Sequence, residues 1–239
     1  MVRQLGLSFA VAAGVLISTH IAPATASTIT MTDYGFAKGS QTVTITSPGG
    51  AIGSVKAGLF KLTTTAGDWY AFCVDIFNFM HKPTTYQLGP LLAAGDSTPG
   101  QPPVDYPLTL GQQKQIHWLA DKAISELQAN TLTSARSAAY QVAIWDVAYG
   151  AAFQRTINPT TQTALNSIVA ALGAADLSAY WVPLALTPQG SGQGLVKGQT
   201  LVTNTPVPEP ATLVLLGVGL VGLAALRRSG RSGAAGSLH

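Results

Sequence analysis

Two residues stand out for what they can do to each other. Cys73, within Phe72-Cys73-Val74-Asp75-Ile76, is the only cysteine in a chain of 239 residues. It has no intramolecular disulfide partner, although the first residues read as an export signal and so predict an oxidising destination. Gln141 lies in SARSAAYQVAIWDVAYG, a stretch that at 100° per residue is apolar almost all round and therefore predicts a buried helix. A buried carboxamide without partners costs about 1–3 kcal/mol. Attack of the Cys73 thiolate on the Gln141 side-chain carbonyl would expel ammonia and leave a γ-glutamyl thioester, removing a free thiol and a buried amide in one step. Burial would shield that bond from water until a nucleophile arrives. Asp75, two residues from Cys73, is expected on the same strand face, placed to take the thiol proton or to orient Gln141, or else to anchor a loop.

Other chemistries fit the residues less well. A cysteine hydrolase would use Cys73 with His117 as base and Asp75 or Asp146 behind it, but no peptidase signature surrounds the cysteine. His117 is expected on a partly exposed helix face. His81 and His117 lack the neighbours that a metal site requires. With no P-loop and no paired-cysteine motif, the reading assigns no catalytic residue, no metal and no cofactor. The plainest alternative makes Cys73 a small buried hydrophobe, lets Gln141 cap a carbonyl in a nearby loop, and leaves Trp145 in the core. Trp69, Tyr70 and Trp181 are candidates for a sugar platform, but aromatic rings more commonly serve packing.

The elements that must hold these residues divide by composition. Residues 28–88 read as strands: TVTIT at 42–46 and LFKLT at 59–63 alternate, with Lys61 outward, and Ser47-Pro48-Gly49-Gly50 reads as a turn between them. WYAFCVDIF at 69–77 is apolar at nearly every position and predicts a central strand. After a Pro/Gly-rich loop, a helical block covers 109–173. Thr109 and Gln112 have capping-box spacing, a second helix is expected from about Ser134 to Tyr149, and Gly173 is placed to end a third. Residues 178–203 return to short strands. The predicted fold class is α+β, a strand-rich, sandwich-like domain with a three-helix insertion.

Both ends read as targeting segments. Arg3, an apolar run and Ala24-Thr25-Ala26 predict a signal peptide over 1–26 cut by signal peptidase. At the other end, Pro208-Glu209-Pro210 precedes an apolar run over 211–226 and then Arg227, Arg228 and Arg231. Sixteen residues make roughly 24 Å of helix, slightly less than the hydrocarbon core of a bilayer. The expected body is therefore 27–205, with a sorting segment over 206–231. That body carries nine Lys/Arg and nine Asp/Glu, so the net charge of +3 comes from Arg3, Arg227, Arg228 and Arg231 less Glu209. A balanced body gives no reason to expect a nucleic-acid partner.

The order Val207-Pro208-Glu209-Pro210, apolar helix, arginines resembles the PEP-CTERM sorting segment. That resemblance implies export, transient anchoring through 211–226, and processing by an exosortase of a Gram-negative, exopolysaccharide-producing cell. Phe72-Cys73 together with Gln141-Val142-Ala143-Ile144-Trp145 resembles the two halves of bacterial thioester domains, known as adhesin tips on Gram-positive surfaces. By that resemblance Cys73 and Gln141 are the bonded pair, with Phe72, Asp75, Ile144 and Trp145 around them. The implied protein is a non-enzymatic component of the cell surface or extracellular matrix. It would be adhesive, acylating an amine or hydroxyl of a protein or polysaccharide, and suited to a role in biofilm. The alternative is a non-covalent carbohydrate-binding module whose thioester has lapsed.

Overall fold

The computed structural model describes residues 27–47, 53–94, 106–189 and 198–203. The segments for which a turn (48–50), a signal peptide (1–26) and an apolar helix (211–226) are expected lie outside the described residues. Among those described, no helix is long and apolar enough to cross a membrane.

The chain is strand-rich with three helices, an α+β arrangement. In order it forms β1 (Thr28–Phe36), β2 (Gln41–Ser47), β3 (Gly53–Ala57), β4 (Phe60–Thr64), β5 (Gly67–Cys73), β6 (Thr84–Pro90), β7 (Ala93–Ala94) and β8 (Tyr106–Pro107). There follow α1 (Leu110–Gln128), α2 (Ser134–Tyr149), β9 (Gln154–Thr156), α3 (Pro159–Gly173), β10 (Leu184–Pro188) and β11 (Leu201–Thr203). A sandwich-like packing was the expectation; instead six strands close on themselves as an antiparallel barrel in the order β1-β4-β5-β11-β10-β6. Closure depends on pairings between distant segments, such as Thr28 with Gln87 and Leu201 with Cys73. It removes the free edges that an open sheet must otherwise protect. A separate sheet, β3-β2-β9, stands beside the barrel, and β9 interrupts the expected helical block to pair with β2.

Each helix starts on a side-chain cap. At α1 the Thr109–Gln112 capping box is formed in both directions, with Gln112 N–H donating to Thr109 Oγ1 and Thr109 N–H donating to Gln112 Oε1. Thr133 caps α2 by accepting from Arg136 N–H, and Asn158 caps α3 ahead of Pro159. The middle helix packs against α1, α3 and strands of both sheets. Nine consecutive residues, Ser137 to Trp145, are buried, in keeping with a stretch that is apolar all round.

Strand β5 ends at Cys73, four residues before the expected end at Phe77. Pairing stops because Asp75 folds the chain over. Its carboxylate accepts from Phe77 N–H at 2.8 Å and from the Asn78 side-chain amide, an Asx turn that competes with the ladder. Asp75 is therefore in the turn that follows β5 and not on the face of that strand.

Candidate functional site

By strand alternation Cys73 shares a face of β5 with Trp69 and Ala71, whose partners on β4 are Leu62 and Phe60. Lys61 is exposed on the opposite face of β4, so Cys73 points towards the barrel interior. Phe72 is fully buried on the other face of β5, opposite Val202. Trp69 is buried as well, Tyr70 is partly buried and Trp181 is exposed, so these three do not form one platform.

The helix α2 crosses beside the end of β5 and places Gln141 against Cys73. Both residues are essentially inaccessible, at 2% and 1% exposure. The Gln141 carboxamide is held by the Cys73 backbone in two directions: Cys73 N–H donates to Gln141 Oε1 at 2.9 Å, and Gln141 Nε2 donates to the Cys73 carbonyl at 2.6 Å. The buried amide thus has both of its ends satisfied, as a buried polar group must. The structure therefore puts the carboxamide carbon, flanked by these two atoms, beside the residue that carries the thiol.

The row of residues at four-residue spacing along α2, Gln141, Trp145 and Tyr149, forms the wall on this side. Tyr149 Oη donates to the Val74 carbonyl at 3.0 Å and accepts from Ile76 N–H at 3.3 Å, which straps the turn after β5 to the helix. No sequence signal singled out Tyr149 except its place in that row. Trp145 is buried with its indole edge-on to Phe153 at 5.8 Å between ring centres, and its Nε1–H meets no protein acceptor. Ile144 is fully buried in the same core.

The Cys73 thiol donates to the backbone carbonyl of Asp75 at 3.2 Å, and Gln199 Nε2 donates to the same oxygen at 2.6 Å. The carboxylate of Asp75 is turned instead to Phe77 and Asn78. Burial, with the Asp75 charge acting in the same direction, pushes the Cys73 thiol well above its ordinary pKa. Burial likewise raises Tyr149. Catalytic cysteines occupy environments that lower the thiol pKa, and this environment does the reverse.

The other expected candidates lie elsewhere. His117 is buried and not partly exposed: helix α1 turns it against Tyr180 and Trp181, and its Nδ1 meets the Trp181 carbonyl at 3.0 Å. Asp146 accepts from Arg155 at 2.5 Å. His81, in the turn before β6, is exposed. Among the described residues no cluster of three or more His, Cys, Asp or Glu side chains is arranged to hold a metal ion.

Comparison with known families adds a finding at the far end of the chain. Residues 206–229 match the PEP-CTERM protein-sorting motif. They contain Pro208, Glu209 and Pro210 and the arginines Arg227 and Arg228. The motif marks an exported protein that is processed by an exosortase after a membrane-anchored step in transit. No curated protein and no solved structure matches the chain.

Proposed function

We propose that this exported protein is an adhesive component of the cell surface or extracellular matrix of a Gram-negative bacterium, and that it attaches through a Cys73–Gln141 thioester. The observation that carries the reading is the two-way hydrogen bonding of the Gln141 carboxamide by the Cys73 backbone. In bond formation Cys73 Sγ attacks Gln141 Cδ, and the Cδ–Nε2 bond breaks. The thiol proton leaves with that nitrogen as ammonia. The charge that develops on Oε1 meets the Cys73 N–H already aimed at it, the arrangement of an oxyanion donor, worth about 3–4 kcal/mol in enzymes that use one. No turnover is implied: one protein makes one bond, to an amine or hydroxyl of a protein or polysaccharide. The PEP-CTERM match supports delivery to the outside, where such partners are found.

The test is reaction with methylamine followed by intact mass. A thioester predicts addition of one methylamine at Gln141 and release of one alkylatable thiol. Cys73→Ala and Gln141→Ala should each abolish the response. A protein that does not react with methylamine and whose Cys73 is alkylated in full once the chain is unfolded, without prior methylamine or hydroxylamine, leaves the non-covalent binding module as the reading.

A further inference from the structure

Beside Cys73 the described residues line a half-open cavity of about 310 Å³. Its walls are largely apolar and include the aromatic rings of Tyr34, Phe36, Phe60 and Trp145. At its rim the Phe79 ring is 64% exposed. Lys56 is the one charged side chain among the lining residues described, and they include no carboxylate and no histidine. Two side chains in this wall have donors only, Lys56, whose Nζ already donates to Thr42 Oγ1 at 2.9 Å, and the Trp145 indole N–H. The latter sits in a side chain 3% exposed and has no acceptor in the protein. A buried donor without a partner is unfavourable, and the cavity is the space from which a ligand can supply one.

We propose that this cavity is the acceptor subsite of the Cys73–Gln141 centre and takes a neutral, hydroxyl-rich sugar residue in preference to a lysine ammonium. The reaction arm of the proposal rests on the thioester reading; the binding arm does not. A sugar hydroxyl or ring oxygen supplies the acceptor that Trp145 Nε1–H lacks and can take a further proton of Lys56 Nζ, whereas an ammonium brings only more donors. Aromatic faces attract cations, but here the Lys56 charge opposes a second one and no carboxylate in the described wall offsets its desolvation. The volume is at the lower end of the range for small-ligand pockets, suited to one ring with its C–H face on the aromatic wall. In the transfer step the sugar oxygen bonds to Gln141 Cδ, the Cδ–Sγ bond breaks, and the hydroxyl proton ends on Cys73 Sγ. The products are a Gln141 ester and a free thiol, and no further reactant is needed.

The test uses the purified protein, with methyl glucoside, methyl galactoside, methyl mannoside and an N-acetyl-lysine amide as probes. In the Cys73→Ala variant, which cannot form the thioester, at least one glycoside should shift the Trp145 indole N–H resonance, and the lysine amide should not. Trp145→Phe keeps a ring in the wall but deletes the donor, and should weaken that glycoside about tenfold. Lys56→Glu, at an exposed position, should admit the lysine amide, which guards against a Trp145 variant that folds poorly. In the wild-type protein the bound glycoside should add to the mass at Gln141. Failure of all three glycosides to bind the Cys73→Ala variant overturns the proposal, as does a preference for the lysine amide in that variant. A wild-type protein that shows no ammonia loss, alongside glycoside binding by Cys73→Ala, overturns the thioester and the transfer arm but supports the subsite.

Discussion

Replacing Gln141 by leucine in a Cys73→Ala background isolates what the carboxamide contributes apart from any covalent bond. The Cys73 N–H and C=O are backbone groups, so their hydrogen bonds to Gln141 survive the loss of sulfur. Leucine fills a similar volume but offers neither a donor nor an acceptor, and the site is 1–2% exposed, so water cannot easily substitute. Leaving one buried donor and one buried acceptor unpaired costs about 1–3 kcal/mol each, or about 2–6 kcal/mol together. The additional apolar surface of leucine offsets about 1 kcal/mol. The net expectation is a loss of about 1–5 kcal/mol, read from urea unfolding by tryptophan fluorescence as a lower midpoint at unchanged slope. The Cys73→Ala background alone removes one small buried group and should cost on the order of 1 kcal/mol against a wild type without the thioester. If Gln141→Leu changes stability by less than about 0.5 kcal/mol in that background, the two-way hydrogen bonding is not what holds the helix to β5.

Three further outcomes test other parts of the structure. A Cβ at Gly58 would lie 2.9 Å from the Gly39 carbonyl oxygen and 3.2 Å from Ser137 Oγ, which itself accepts from Leu59 N–H, so Gly58→Ala should destabilise by about 1–3 kcal/mol in the same assay. Burial alone would raise the Glu126 carboxyl, but hydrogen bonds from Arg136 and Tyr140 outweigh it and hold its pKa below the ordinary value. A carboxyl lowered on folding stabilises above its unfolded pKa, so the advantage of wild type over Glu126→Gln should be full at neutral pH. It should fade as pH falls below about 4 in a pH series of unfolding midpoints. Deleting residues 207–231 should release the protein from the cell or leave it degraded in the periplasm, seen by fractionation; unchanged processing and location would contradict sorting through this segment.

The sequence made the helices legible because their signals are local. Thr109 and Gln112 are three residues apart, Thr133 and Gly150 bracket α2, and α3 runs to Gly173 with Ala174 as its C-cap. Barrel closure had no such signal, since β1 must find β6 and β5 must find β11 across more than fifty residues, and alternation in each strand fits a sandwich equally well. The run Val74-Asp75-Ile76-Phe77 looked like continuing strand because its apolar residues conceal the turn that Asp75 makes with Phe77 and Asn78. Cys73 and Gln141 stood out as polar or reactive exceptions in apolar surroundings, and the fold places them against each other. Gln199 carried no signal, because its role depends on β11 returning beside β5.

The most direct measurement of the central claim is the intact mass of the purified, untreated protein under non-reducing conditions. The thioester account predicts a mass lower than that of the processed sequence by one ammonia, with the modification mapping to the Cys73 and Gln141 peptides together. A mass equal to that of the unmodified processed chain, with Cys73 recovered as a free thiol, would contradict it.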